Sequence, residues 1–215
     1  WETISLDFCG DFPVTKNGND YVLAFSDHLS KMSYLIPCKQ TTTAKQAANL
    51  YLQFVFRHHG LPKKIISDRG PQFVAKFWQT LWKTLGTTYS FTAPYHPQSN
   101  AVTERINQTF QEALRSFVNA LQDDWEECLL LFEFAYNDTV NPSTGQTPFY
   151  INYGKHPTKP ATLHMPTKVP AVDDFITHIN TTIQQARDTI LKASAEFSQA
   201  QASNFQDHDF KAGDW

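Results

Sequence analysis

Cysteine is scarce in this 215-residue chain, and the three present, Cys9, Cys38 and Cys128, form no CxxC pair. That odd, wide spacing encodes neither a disulfide framework nor a zinc knuckle, and it points to a reducing compartment. Long apolar runs are also missing. The longest, such as Leu129 to Phe132, fall far short of the roughly 20 residues that span a bilayer. No membrane partner is expected. Neither a basic segment nor an apolar one follows Trp1, so no secretory or transit segment is read, and there is no internal repeat. Trp1-Glu2-Thr3-Ile4 reads as a strand entrance and Gly213-Asp214-Trp215 stops where a strand could begin, so the chain is expected to be a piece of a longer polypeptide.

A basic surplus is lacking too, since the formal net charge is −3. Its distribution tells more than its sum. From Lys31 to Arg115 there are eleven basic residues against three acids, Asp68, Glu104 and Glu112, a net +8. The first 30 residues carry −4, and residues 121–215 carry −7. A basic middle with acidic flanks suits a polyanionic partner, although an uneven distribution without function gives the same pattern. The hydrophobic content of 41%, with 14% aromatic, is ample for a sizeable core.

The periodicities give an α/β order. Ile4 to Phe8 alternates as a half-buried strand does, Asn17 to Asp20 supplies a turn, and Tyr21 to Phe25 and Ser33 to Ile36 follow, the latter stopped by Pro37. These three make an antiparallel meander. Thr43 is an N-cap for a helix with Ala44, Ala47, Ala48, Tyr51, Leu52, Val55 and Phe56 on its apolar stripe, closed by Gly60 and Pro62. A short strand at Ile65-Ile66-Ser67, a helix through Phe73, Phe77, Leu81 and Leu85, and a fifth strand at Thr87 to Ser90 complete a sheet with helical crossovers. A loop from Thr92 to Asn100 leads to a helix striped by Val102, Ile106, Phe110, Leu114, Phe117 and Leu121, and another helix covers about Asp124 to Tyr136. Past a proline-punctuated linker, apolar residues from Val172 to Ala200 recur with a 3.5-residue period, as in a coiled-coil seam or spacer, or in an amphipathic helix lying on its own core.

Three carboxylates stand out. Asp7 lies inside a strand, where propensity and burial both disfavour it. Asp68 ends the strand Ile65-Ile66-Ser67 and precedes Arg69-Gly70-Pro71. Glu104 falls in the first turn of the helix that starts near Ala101, off the apolar stripe and on one side with Asn107, Gln108 and Gln111. Taken singly, each is open to a structural reading as a cap or turn residue. Brought together they would repel by roughly 4 kcal/mol per pair at about 4 Å, so a triad requires a counter-charge. Oxygen ligands without His or Cys select Mg²⁺ or Mn²⁺, and two such ions activate the attacking oxygen and stabilise the leaving one in phosphoryl transfer.

The order Asp7, Asp68, Glu104, with 35 residues between the last two, resembles the D,D-35-E signature of retroviral and retrotransposon integrases. The surrounding text is more specific. Trp1 to Phe8, Ser26 to Met32, His59-Gly60-Leu61-Pro62, Ser67 to Phe73, Tyr95-His96-Pro97-Gln98 and Thr103 to Thr109 resemble the catalytic core of gypsy-class long-terminal-repeat retrotransposon integrases. Tyr136-Asn137, Ser143 to Phe149 and Tyr153-Gly154 resemble downstream blocks of that family. The resemblance implies an RNase H-like α/β fold, a five-stranded mixed sheet flanked by helices and followed by a long C-terminal helix. It covers residues 1–160, taken as the catalytic core, while the prolines and the apolar periodicity give a linker at 161–171 and a long helical segment at 172–205, with the start of a further module expected at 206–215.

It also implies a metal-dependent polynucleotidyl transferase that processes the 3′ ends of retroelement DNA and joins them to target DNA. Asp7 and Asp68 would share one of two Mg²⁺ or Mn²⁺ ions, and Asp7 and Glu104 the other. Expected DNA contacts are Lys63, Lys64, Arg69, His96, Gln98, Asn100, Arg105 and Gln108, with a homo-multimer acting in the nucleus after passage in a cytoplasmic particle. No small-molecule cofactor is expected. Where relatives place Gly-Gln after the loop this chain has Ala101-Val102, which stiffens the loop exit. The alternatives are a domesticated or decayed domain that binds DNA without catalysis, and a nuclease that only hydrolyses.

Overall fold

The computed structural model describes residues 1–91, 107–112, 125–158 and 170–204. The first strands, β1 (Thr3–Gly10), β2 (Tyr21–Asp27) and β3 (Ser33–Cys38), form the expected antiparallel meander. Two further strands, β4 (Lys64–Ser67) and β5 (Thr88–Phe91), run parallel to β1, giving a five-stranded mixed sheet ordered β3-β2-β1-β4-β5.

Pro37 does not stop β3. It pairs with Val22 inside the strand, which runs on to Cys38. The physical reason is that β3 is a sheet edge, where a residue without an N–H is tolerated.

Between β3 and β4 the chain is helical from α1 (Ala44–Tyr51) through a π-helical turn, Leu52–Phe56, to α2 (Arg57–His59). Thr43 caps it as expected, its hydroxyl taking the Gln46 N–H while the Gln46 side chain takes the Thr43 N–H. The helix ends at Gly60, whose φ of 70° falls in the left-handed region. The expected stripe fails in its second half, since Leu52 and Phe56 are exposed. A π turn holds an extra residue, so the positions that follow rotate off the buried face.

The next helix also departs from expectation. It is broken into α3 (Pro71–Val74) and α4 (Lys76–Thr84) by Ala75, which adopts ψ 134°. The break resets the helical phase. Trp78 and Trp82 take the buried positions, while Phe77 and Leu85 are exposed. Further on, residues 107–112 are helical (α5), followed by α6 (Trp125–Asn137), α7 (Pro148–Tyr153) and the 35-residue α8 (Pro170–Asn204).

Two cores lie on opposite faces of the sheet. Ile4, Leu6, Leu23, Phe25 and Ile65 pack against Tyr51, Val55, Phe73, Trp78 and Trp82 on one side. On the other, Val22, Ala24 and Leu35 pack against Phe110, Trp125, Leu129, Phe132, Ala186 and Ile190. Alternation along β1 therefore sends Leu6 to the first core and leaves Asp7 on the side of α5. The middle of α8 lies on α6, with Ala186 and Ile190 buried, while Val172 and Phe175 near its start are exposed. Among the described residues, no helix is long and apolar enough to cross a membrane. The three cysteines are free and buried.

Candidate active site

Parallel pairing brings Asp7 and Asp68 together in the sheet. The β1–β4 register ends at Leu6 opposite Ser67, so the next residue on each strand is an aspartate, at the carboxyl edge of β4. This is the edge at which sites form in sheets with parallel strands. Asp7 is half-buried, held in β1 by pairing to Ala24 of β2. Asp68 is exposed, and its Oδ1 accepts the Gly70 N–H at 2.9 Å. That bond is the turn role open to an Asp before Arg-Gly-Pro. It fixes the side chain rather than occupying all of it.

The helical segment α5 lies over this edge. Phe110 is fully buried against Phe12 and Phe132 and anchors the segment in the second core. Anchoring Phe110 turns Asn107 and Gln111 toward β1. Asn107 Nδ2 donates to Asp7 Oδ2 at 2.6 Å, and Gln111 Nε2 donates to Cys9 Sγ at 3.1 Å. Asn107 is 7% exposed, and its carbonyl oxygen is buried without a hydrogen-bond partner among the described residues. Beside these groups is an open pocket of about 320 Å³, lined by Asp7, Cys9, Gly10, Asn107, Gln108 and Gln111. Burial pushes the Cys9 thiol up to about 11, so it stays a neutral packing group.

Glu104, His96, Gln98, Asn100 and Arg105 lie outside the described residues. Among the described residues, no group of three or more His, Cys, Asp or Glu side chains converges as a metal site. The ionisable donors that the β1–β4 register sets at this edge, the Asp7 and Asp68 carboxylates, are all oxygen. Such a set fits a hard divalent cation and not a thiolate-seeking one.

Of the other expected contacts, Gln108 is exposed at the pocket, and the Arg69 guanidinium sits 5.7 Å from the centre of the Phe91 ring, beside Asp68. Lys63 and Lys64 are at the opposite end of β4, where Lys63 pairs with Glu2 at 3.1 Å. Asp68 is four residues on from Lys64 along the strand direction, about 13 Å. The contacts of Asn107 and Gln111 are not readable from the sequence, whose one signal for them is the spacing that puts both on one helix side with Glu104.

Comparison with known proteins gives these features a context. A family model described as the integrase core domain matches residues 2–97. The Tf2-3 transposon polyprotein of Schizosaccharomyces pombe is 32% identical over 174 residues, which are 81% of this chain and 13% of that polyprotein. The chain thus spans about an eighth of the length of the curated relatives it matches. Among solved structures, the intasome of simian T-cell lymphotropic virus in complex with PP2A regulatory subunit B56 gamma aligns with a TM-score of 0.58 at 19% identity, covering 79% of this chain and 58% of that one. The HTLV-2 integrase catalytic core domain in complex with magnesium, in a dimeric form, aligns with a TM-score of 0.55 at 17% identity, covering 71% and 96%. These likenesses show the RNase H-like fold of integrase catalytic cores. Residues 2–97, a little under half of the chain, match the integrase core domain family, and the sheet order and the retrotransposon relatives agree with that match.

Proposed function

We propose that this chain is a metal-dependent polynucleotidyl transferase that trims the 3′ ends of retroelement DNA and joins them to target DNA. The observation that carries this reading is the β1–β4 register, which sets Asp7 and Asp68 side by side at the carboxyl edge of β4, under a helix that touches Asp7 through Asn107. Glu104 supplies the third carboxylate. The helical spacing read from the sequence puts it on one side with Asn107 and Gln111, and in the structure these two face β1.

Asp7 would be shared between two Mg²⁺ or Mn²⁺ ions, with Asp68 completing one site and Glu104 the other. When bound, such ions lower the pKa of an attacking water or hydroxyl and neutralise charge on the leaving oxygen. The protein's own part is positional. Asn107 holds one oxygen of Asp7, the Gly70 N–H holds one oxygen of Asp68, and Arg69 and Gln108 stand at the rim where a phosphate backbone would run. The dimeric, magnesium-bound catalytic core among its structural neighbours supports the choice of metal and a multimeric working form.

The test is a joining assay on duplex DNA with Mg²⁺ or Mn²⁺, run beside Asp68→Asn. Joining by the parent that the variant abolishes is the expected result. Cleavage without joining would identify a hydrolytic nuclease instead. DNA binding with neither reaction would identify a domain that has lost catalysis.

A further inference from the structure

The carboxyl end of β4 is held from behind by a hydroxyl relay. Ser67 is fully buried on the sheet face opposite Asp7, among the residues of the first core. Its Oγ donates to the backbone carbonyl of Asp68 at 2.8 Å and also meets the phenol oxygen of Tyr89. A carbonyl only accepts, so the Ser67 proton is committed to Asp68, and the proton between the two hydroxyls must come from Tyr89. The relay runs from the Tyr89 O–H to the Ser67 O–H to the Asp68 C=O.

Strand register explains the reach. Ile65 stands opposite Tyr89 and Ser67 opposite Phe91, so Tyr89 is the diagonal neighbour of Ser67, within range of an aromatic side chain. Phe91 holds Tyr89 edge-on at 5.1 Å. Burial pushes the phenol up to about 12, so it remains a donor at any working pH. Asp68 is thereby pinned twice, at its backbone carbonyl by the relay and at its side chain by the Gly70 N–H.

We propose that Tyr89, acting through Ser67, is a positioning residue for the metal-binding carboxylate of Asp68. The inference rests on the reading of Asp68 as a metal ligand. Without the relay the Asp68–Arg69 peptide loses its anchor, and the carboxylate leaves the place where it meets the ion held by Asp7. Metal affinity is the quantity affected, because positioning groups behind a ligand act on affinity.

The experiment titrates Mn²⁺ into the 215-residue chain, reading free Mn²⁺ by electron paramagnetic resonance, for the parent, Tyr89→Phe, Ser67→Ala, Ser67→Thr, the Ser67→Ala/Tyr89→Phe double variant and Asp68→Asn. Tyr89→Phe and Ser67→Ala should each weaken Mn²⁺ binding by roughly tenfold, the lower end for groups behind a metal ligand. The double variant should be no weaker than Ser67→Ala, and Ser67→Thr should stay near the parent. A merely structural role would lower the fraction of chain that binds while leaving its Kd unchanged, and that result overturns the proposal. Parent-like binding by Tyr89→Phe with binding lost in Asp68→Asn overturns it as well, leaving the metal reading intact. Parent-like binding by Asp68→Asn instead removes the metal reading itself.

Discussion

Asn107 spends its two polar atoms very differently. Its amide donates to Asp7 at 2.6 Å, while its carbonyl oxygen is buried with no donor in reach among the described residues. An orphaned buried oxygen costs about 1–3 kcal/mol, so a residue selected for packing alone would not be an asparagine here. The arrangement makes sense if the amide is needed to hold Asp7. Asn107→Ala should therefore reduce metal-dependent DNA joining at least tenfold. Denaturant unfolding should show only a small change, about 1–2 kcal/mol, because the lost hydrogen bond is offset by removal of the orphan. A variant that loses stability but joins DNA normally would strip Asn107 of this role.

At the scale of elements, α6 closes the exposed edge of β3. Asn137, fully buried, accepts the Ser33 N–H at 2.9 Å and donates to the Ser33 carbonyl at 2.8 Å, and Glu133, one turn earlier, accepts the Leu35 N–H at 2.6 Å. Pro37, the next residue of that parity, has no N–H to offer. The edge is thus closed against pairing with another strand. Burial pushes the Glu133 carboxyl from 4.5 to about 7, against the opposing pull of the Leu35 N–H. In the unfolded chain the group titrates at the lower value, so between those two values the folded chain keeps a proton the unfolded one has released. Stability then falls as pH rises through that window, by up to about 3 kcal/mol, and levels off above it. Glu133→Gln keeps an acceptor for Leu35 without the charge. Its unfolding free energy should lose most of this slope and exceed the parent's at pH 8; an unchanged slope would assign the pH dependence to other groups.

None of this edge chemistry was legible from the chain. The signals that read correctly are local: alternation in β1, Thr43 as an N-cap, Gly60 after a helix, and an aspartate inside one strand and another just past the end of a second. Glu133 meets Leu35 across 98 positions and Asn137 meets Ser33 across 104, and no periodicity encodes such pairs. The π turn and the break at Ala75 were missed for a related reason. Each adjusts helical phase so that Val55, Trp78 and Trp82 reach the core, and that demand comes from the sheet rather than from the helix. Two of the motifs beyond the acids are architectural. Asp27 Oδ2 takes both Ser30 donors at 2.7 Å to shape the β2–β3 turn, and Thr147 with Pro148 starts α7.

Across the whole molecule, charge and topology separate two kinds of basic residue within the +8 block. Arg69 follows Asp68 directly and rests on Phe91 at the carboxyl end of β4, whereas Lys63 and Lys64 are at the amino end, with Lys63 already facing Glu2. Cations that contact phosphates release counterions, so each one used lowers the steepness with which DNA affinity falls with salt by about one unit of log–log slope when removed. Position decides what else is lost. Arg69→Ala should flatten the slope and also reduce joining at saturating DNA, since a phosphate beside Asp68 is then no longer held in place. Lys64→Ala should flatten the slope while leaving the joining rate at saturation unchanged. Lys63→Ala should do less than either, because an exposed pair with Glu2 leaves less net charge to offer. Fluorescence anisotropy across a salt series, paired with single-turnover joining, separates the three variants. Equal effects of Arg69→Ala and Lys64→Ala on both readouts would mean that the DNA path does not distinguish the two ends of β4.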